Sequence, residues 1–344
     1  MTDGTPRVAL IGYGMAGRDF HAPLLVAAGA PPSLVATSSA ERAAQVRAAL
    51  PGAEVVTDLD AALAAAPDLV VLASPTGAHV DQALACIRVG VPFVVDKPIA
   101  VDARGAREVV EAAAAARVAC TVFQNRRWDP ETRTLTGVLA RGDLGTVHRF
   151  ERRWERWRPV PKERWRERLS AAEGGGVLLD LGPHLVDAAR LLFGPVASVH
   201  AELAARTTTA EDDVFLSLAH VNGVRSHLTA GSLAGAPGPR TRVLGDRAAF
   251  VVGSFEDDGS PFGAGIEDAP GHCGWIVAGE DRRPVPERPG EYADFYRAVL
   301  SAVAGPDPDA RQAAMPVDPR DAVATAEILD VARVSAAESR TVWL

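Results

Sequence analysis

At 344 residues the chain is long for one core and comfortable for two domains. Its 47% hydrophobic and 23% charged residues describe a globular protein, and a net charge of −8 argues against nucleic acid as the main partner. No apolar run is long enough to span a bilayer, Met1 to Arg7 does not read as a signal peptide, no Cys or His spacing suits a metal, and three lone cysteines at 86, 120 and 273 fit a reducing cytoplasm.

Taken in order, short apolar runs at 7–11, 34–37, 54–56, 69–74, 92–96 and 119–124 alternate with Ala-rich or periodic segments at 15–28, 40–50, 58–66, 77–89 and 102–117. Such alternation predicts a parallel sheet covered by helices on both faces. After about Asn125 the pattern changes to a Trp- and Arg-rich stretch through 168. Strand-like pieces follow from 196 onward. Runs at 214–220 and 224–230 flank Asn222-Gly223, a two-residue hairpin signal. Helix returns at 292–303 and 320–337, and the Gly- and Pro-rich stretch at 253–274 reads as loop. The expected fold is α/β: a Rossmann dinucleotide-binding domain at 1–125 and an α+β domain with a mostly antiparallel open sheet at 126–344, serving substrate binding and oligomerisation.

The first strand runs into Gly12, Tyr13, Gly14, Met15, Ala16 and Gly17, a G-x-G-x-x-G at a strand-to-helix junction. Gly12 permits the turn, Gly14 lets the backbone approach a pyrophosphate, and Gly17 lets helix and strand pack closely. A carboxylate for a ribose 2′-hydroxyl belongs about 20 residues on. That region instead reads Thr37, Ser38, Ser39, Ala40, Glu41, Arg42. Hydroxyls at Ser38 and Ser39 with the Arg42 guanidinium suit a 2′-phosphate, so NADP is expected, with NAD as the alternative. The competing reading makes Ser39 a helix cap and Arg42 a solvated side chain.

Two further stretches could carry chemistry. The fifth strand ends in Asp96, Lys97 and Pro98, at the strand edge where open parallel sheets bind ligands; a plain surface lysine fits equally. Asp180 and His184 occur in Asp-Leu-Gly-Pro-His, with Gly182 and Pro183 as expected helix cap and first position. His184 would then sit in the first turn, where the dipole disfavours its protonation and leaves a base for an alcohol proton. The alternative is a buried capping histidine.

Together with Ser74, Pro75, Thr76 and His79 after the fourth strand and GGGVLLDLGPHLVD at 174–187, these motifs make the chain resemble the Gfo/Idh/MocA oxidoreductases over its whole length. Finer features, at 17–23, 123–128 and 156–159, look like the NADP-linked scyllo-inositol dehydrogenase branch. Asp96 stands where the family usually has Glu. The resemblance implies an NAD(P)-dependent oxidoreductase acting on CH–OH groups of a polyol, cyclitol or sugar. It implies His184 as acid/base, Lys97 at the reacting oxygen and Asp180 orienting the substrate. Asp96 and Lys97 with Ser74, Pro75, Thr76, His79 and Asn125 would line the nicotinamide half of the site, with Trp157 and Arg158 closing over it. No metal is expected. A dehydrogenase of nucleotide-linked or antibiotic sugars and a non-catalytic dinucleotide-binding regulator are the alternatives.

His21 could approach the cleft or serve a structural role beside Pro23. Trp154, Trp157 and Trp165 lie among basic residues interleaved with Glu151, Glu155, Glu163 and Glu167, which favours a salt-bridged strand over nucleic-acid binding. Apolar residues in 214–219 and 228–233 suggest an open apolar sheet face, hence a homodimer or homotetramer with no membrane partner. The 253–274 segment is the alternative cover.

Overall fold

The computed structural model describes residues 6–162, 165–253 and 271–344. Their contacts divide into two units: Met1–Asn125 with Glu291–Ala324, and Arg126–Gly290 with Thr325–Leu344. The sequence placed 291–324 with the second domain; its contacts are made within the first unit.

The first unit opens with β1 (Val8–Ile11) and a π-helical turn, Gly17–His21, that runs into α1 (Ala22–Ala27). It continues through β2 (Leu34–Ala36), α2 (Ala40–Ala49), β3 (Glu54–Val56), α3 (Leu59–Ala64), β4 (Leu69–Leu72), α4 (His79–Val89), β5 (Phe93–Val95), α5 (Ala103–Ala116) and β6 (Cys120–Val122). All six strands are parallel in the order β3-β2-β1-β4-β5-β6. Every residue of β1, β4 and β5 is buried, which is why they read as unbroken apolar runs. Asp58 and Asp102 cap α3 and α5 by accepting from Ala61 N at 2.9 Å and Gly105 N at 2.7 Å.

The second unit starts with α6 (Pro130–Ala140), β7 (Val147–Glu155), α7 (Trp165–Arg168), α8 (Val177–Phe193), β8 (Val196–Ala204), β9 (Asp213–His220), β10 (Arg225–Gly231), β11 (Thr241–Gly245), β12 (Ala249–Val252), β13 (His272–Ala278) and β14 (Asp281–Pro286). The chain then returns to the first unit with α9 (Ala293–Val303) and α10 (Pro308–Ala313), and finishes with α11 (Pro319–Glu338) and β15 (Val342–Trp343). The nine strands form one sheet in the order β14-β13-β12-β11-β7-β10-β9-β8-β15. Only β7 and β10 pair in parallel among them, and β9 and β10 form the hairpin around Asn222-Gly223.

Side chains alternate cleanly in β9 and β10. Val214, Leu216, Leu218, Leu228 and Ala230 enter one core with Phe150, Phe250 and the apolar side of α8. The outer face is therefore mixed rather than broadly apolar around β9 and β10. On the other side β7, β9, β10 and β11 carry Arg149, Glu151, Arg153, Ser217, His227, Thr229 and Arg242 with Phe215 and Leu244, and the register continues this face over β12 and β13 through Val251, Trp275 and Val277. The period of two sends most of the apolar residues of 214–219 and 228–233 inward and leaves Phe215 and Ala219 outward. Residues 254–270, most of the segment considered as a cover for that face, lie outside the described residues.

No helix among the described residues is long and apolar enough to cross a membrane.

Candidate active site

In the first unit, the turn after β1 depends on two glycines, Gly12 and Gly17, that leave no room for a side chain. Gly12 has φ +96°, and a Cβ there would stand 2.8 Å from the Ala73 carbonyl oxygen. A Cβ on Gly17 would stand 2.1 Å from the Gly12 oxygen. At Gly14 nothing lies within 4 Å of that position, so its backbone is open to an incoming group. Arg18 N bonds to Gly14 O at 2.8 Å, so helix begins here and its first amides face the opening. This loop fits the pyrophosphate of a dinucleotide. Met15 is exposed, whereas the Tyr13 side chain is buried, so Tyr13 offers only its backbone. Burial raises the Tyr13 pKa, with Arg18 opposing.

At the end of β2, Ser39 caps α2 by accepting from Arg42 N at 3.3 Å. Its hydroxyl has the capping role, while Ser38 and the Arg42 side chain are exposed. After β4, the Ser74 hydroxyl donates to Gln82 Oε1 at 2.6 Å, Pro75 is exposed, and Thr76 and Asn125 are buried. His79 lies buried behind this loop rather than on it. Its Nδ1 is 2.9 Å from Pro98 O and its Nε2 is 2.9 Å from Ser74 O. It braces the two loops that carry Ser74 and Lys97 and leaves no ring nitrogen for a ligand. Burial lowers its pKa while the Asp96 charge opposes.

Lys97 follows β5 and is half-buried. Its backbone N–H donates to Asp96 Oδ1 at 2.8 Å. His21 is fully buried, delivered inward by the π-helical turn, with Nε2 3.6 Å from Asp96 Oδ1 and Nδ1 2.5 Å from the Tyr296 hydroxyl. Burial alone would raise the Asp96 pKa; His21, Lys97 and His79 override it and bring it to about 2. His21 thus takes the structural role rather than the cleft. Tyr296 has no signal in the sequence, because 275 positions separate it from His21.

In the second unit, α8 starts at Val177, not at Gly182-Pro183. Pro183 is inside the helix, and Gly182 is there for packing: a Cβ would meet Leu329 Cδ2 at 2.9 Å. The run Val177-Leu178-Leu179 supplies the apolar surface that carries the helix back past the expected cap. His184 therefore lies beyond the first turns, and the dipole argument for its neutrality does not apply. Asp180 and His184 are spaced i, i+4 and share one face. Asp187 continues that stripe and holds Arg127 in a two-pronged ion pair at 2.6 and 2.9 Å.

The His184 ring stacks on Trp154, centroids 5.7 Å apart. The guanidiniums of Arg240, Arg126 and Arg156 approach the same indole at 4.8, 5.0 and 5.4 Å. Behind them, buried Glu131 pairs with Arg152 at 2.7 Å and Arg240 at 3.5 Å. Burial opposes its ionisation, yet the two arginines and the Thr241 hydroxyl hold its pKa down to about 2. A cavity beside Asp180 is lined by Arg156, Arg158, Thr207, Thr208 and Ser232, hydrogen-bonding groups suited to hydroxyls. Trp157 is exposed above a bridge to Leu233. Among the described residues, no group of three or more His, Cys, Asp or Glu could hold a metal.

Comparison with known proteins agrees across the chain. A family model described as an oxidoreductase family with an NAD-binding Rossmann fold matches residues 6–124. Another, the GFO/IDH/MocA C-terminal domain, matches 132–251. The NADP(+) scyllo-inositol 2-dehydrogenase IolW of Bacillus subtilis is 30% identical, over 99% of this chain and 96% of its own length. The Escherichia coli oxidoreductase YdgJ is 33% identical over 98% of both. The solved structure of yvaA from Bacillus subtilis superposes with a TM-score of 0.86 at 28% identity, covering 100% of this chain and 99% of that one.

Proposed function

The chain belongs to the Gfo/Idh/MocA family of NAD(P)-dependent oxidoreductases, and from that premise we propose that it moves a hydride between NADP and a hydroxyl-bearing carbon of a cyclitol or sugar. The observation that carries this reading is the Asp180–His184 pair on one face of α8, a carboxylate beside a hydroxyl-binding cavity and an imidazole one turn on. His184 takes the hydroxyl proton during oxidation and returns it during reduction. Lys97 contributes a cation that favours charge on the reacting oxygen. Asp180 accepts hydrogen bonds from neighbouring substrate hydroxyls, fixing which carbon reacts. The nicotinamide, when bound, supplies the two-electron chemistry.

The glycine loop, with Met15 and Ala16 at the helix start, holds the pyrophosphate. Ser38 and Arg42 receive the 2′-phosphate. The absence of a carboxylate in 37–40 supports NADP over NAD, as does the NADP-linked relative matched end to end. Ser74, Pro75, Thr76 and Asn125 line the nicotinamide half, and Trp157 and Arg158 belong to the closing loop. A homodimer is part of this reading, formed through the outer face of the second sheet. The test is absorbance of reduced nicotinamide against a panel of cyclitols and sugars, with NADP and NAD in parallel. Turnover of scyllo- or myo-inositol with NADP is expected; no turnover of any polyol with either nucleotide overturns the reading.

A further inference from the structure

We infer that Tyr296, His21 and Asp96 form a positioning relay for Lys97, a buried line that fixes the Asp96 carboxylate as counter-charge to that lysine. This rests on the reading that Lys97 is the cation at the reacting oxygen and explains what keeps it so.

The line lies wholly within the first unit. Tyr296 on α9 meets His21 Nδ1, His21 Nε2 faces Asp96 Oδ1, and the same Oδ1 accepts the Lys97 backbone N–H, which holds the carboxylate against the residue that carries the ammonium. Proton bookkeeping puts a proton on Nε2 in either arrangement the line allows: an imidazolium donates from Nδ1 to the tyrosine oxygen and from Nε2 toward the carboxylate, and a neutral ring does the latter when the tyrosine donates to it. The tyrosine hydroxyl has one proton. If it donates to Nδ1, the neutral ring carries its proton on Nε2 and directs it at the carboxylate. In the other tautomer the Nε2 lone pair would face a buried anion. Among the described residues Nε2 has no hydrogen-bond partner at normal distance, so the 3.6 Å approach to Asp96 is the interaction it has. His21 and Tyr296 are both fully buried, so neither touches substrate and both act through Asp96.

Among the described residues, the charges that act on Asp96 are those of His21, Lys97 and His79, and the Asp96 charge also reaches Tyr296. His79 is held between two carbonyl oxygens and cannot take over the His21 position. Lys97 and Lys162 are the only lysines in the chain, against 36 Lys and Arg together. Where this chain needs only a fixed positive fork it uses arginine; at 97 it keeps the compact ammonium, whose proton affinity neighbours can adjust.

The scarcity of lysine supplies a direct readout. Reductive ¹³C-methylation labels two side chains and the N-terminus, and NMR titration follows each without any substrate. Asp96→Asn is expected to lower the Lys97 midpoint by roughly a pH unit or more, the size of removing one nearby opposite charge, with Lys162 unmoved. Tyr296→Phe keeps the ring packed on Phe123 and removes only the hydroxyl. It should move Lys97 by less, in the same direction, and this holds as the test if Asp96→Asn does not fold. Asp96→Glu should return the midpoint toward wild type and recover part of the kcat that Asp96→Asn loses, with the basic limb of the pH profile following the Lys97 midpoint. A Lys97 midpoint unchanged in folded Asp96→Asn or Tyr296→Phe overturns the relay whatever the turnover. Absence of polyol turnover in the wild type overturns the functional reading instead.

Discussion

Glu131 shows how strongly a single carboxyl can be committed to the fold. Its folded pKa of about 2 lies below the ordinary value of 4.5, so it contributes stability in full above pH 4.5 and loses it as pH falls toward 2. The shift corresponds to roughly 3 kcal/mol. Glu131→Gln leaves Arg152 and Arg240 buried without their anion, a loss of about 3–5 kcal/mol at neutral pH. Denaturant unfolding should therefore show a gap between wild type and variant that narrows between pH 4.5 and 2. A gap constant with pH would mean that the charge is not what matters. At the proposed site, His184→Ala should keep nucleotide binding and lower kcat by ~10²–10⁴; equal turnover removes its acid/base role. Arg42→Ala should weaken NADP more than NAD in a fluorescence titration, and equal losses would return Arg42 to the solvated side chain of a capped helix.

Among the elements, the glycine turn is the least tolerant. Gly17→Ala drives a methyl group into a backbone oxygen, which has no rotamer to escape by. It should abolish nucleotide binding, whereas Gly14→Ala should leave the fold intact and reduce affinity; equal binding by wild type and Gly17→Ala would contradict the close packing. This turn was legible because buried parallel strands and a fixed glycine spacing are local signals. The start of α8 was not. Gly182-Pro183 is ordinarily a helix opening, but the helix is buried on most sides, and packing of Gly182 against Leu329 on α11 overrides the local preference. Asp180, His184 and Lys97 could be named from motifs. Tyr296, Arg240 and Trp154 acquire their roles only through contacts between distant segments, which no spacing reveals. The π-helical turn that buries His21 is likewise invisible locally, since it depends on what waits inside for the imidazole.

For the whole molecule, the charges on the outer face of the second sheet change what assembly should look like. If copies pair over β7, β9, β10 and β11, the charges of Arg149, Glu151, Arg153, His227 and Arg242 share the seam with Phe215 and Leu244. Light scattering should then give twice the chain mass at low salt and a shift toward monomer at high salt; a dimer indifferent to salt, or a monomer throughout, would refute pairing by this face. The order in which the chain visits its two units has a separate consequence. Neither unit can be released by a single cut. A fragment ending at Asn125 would keep all six strands of the first sheet but lose α9, and with it Phe295 and Tyr296, both fully buried against Phe123. Cleavage of an exposed loop in the second unit should accordingly leave a nicked protein that stays whole, its two pieces held together by the last third of the chain closing the core begun by the first.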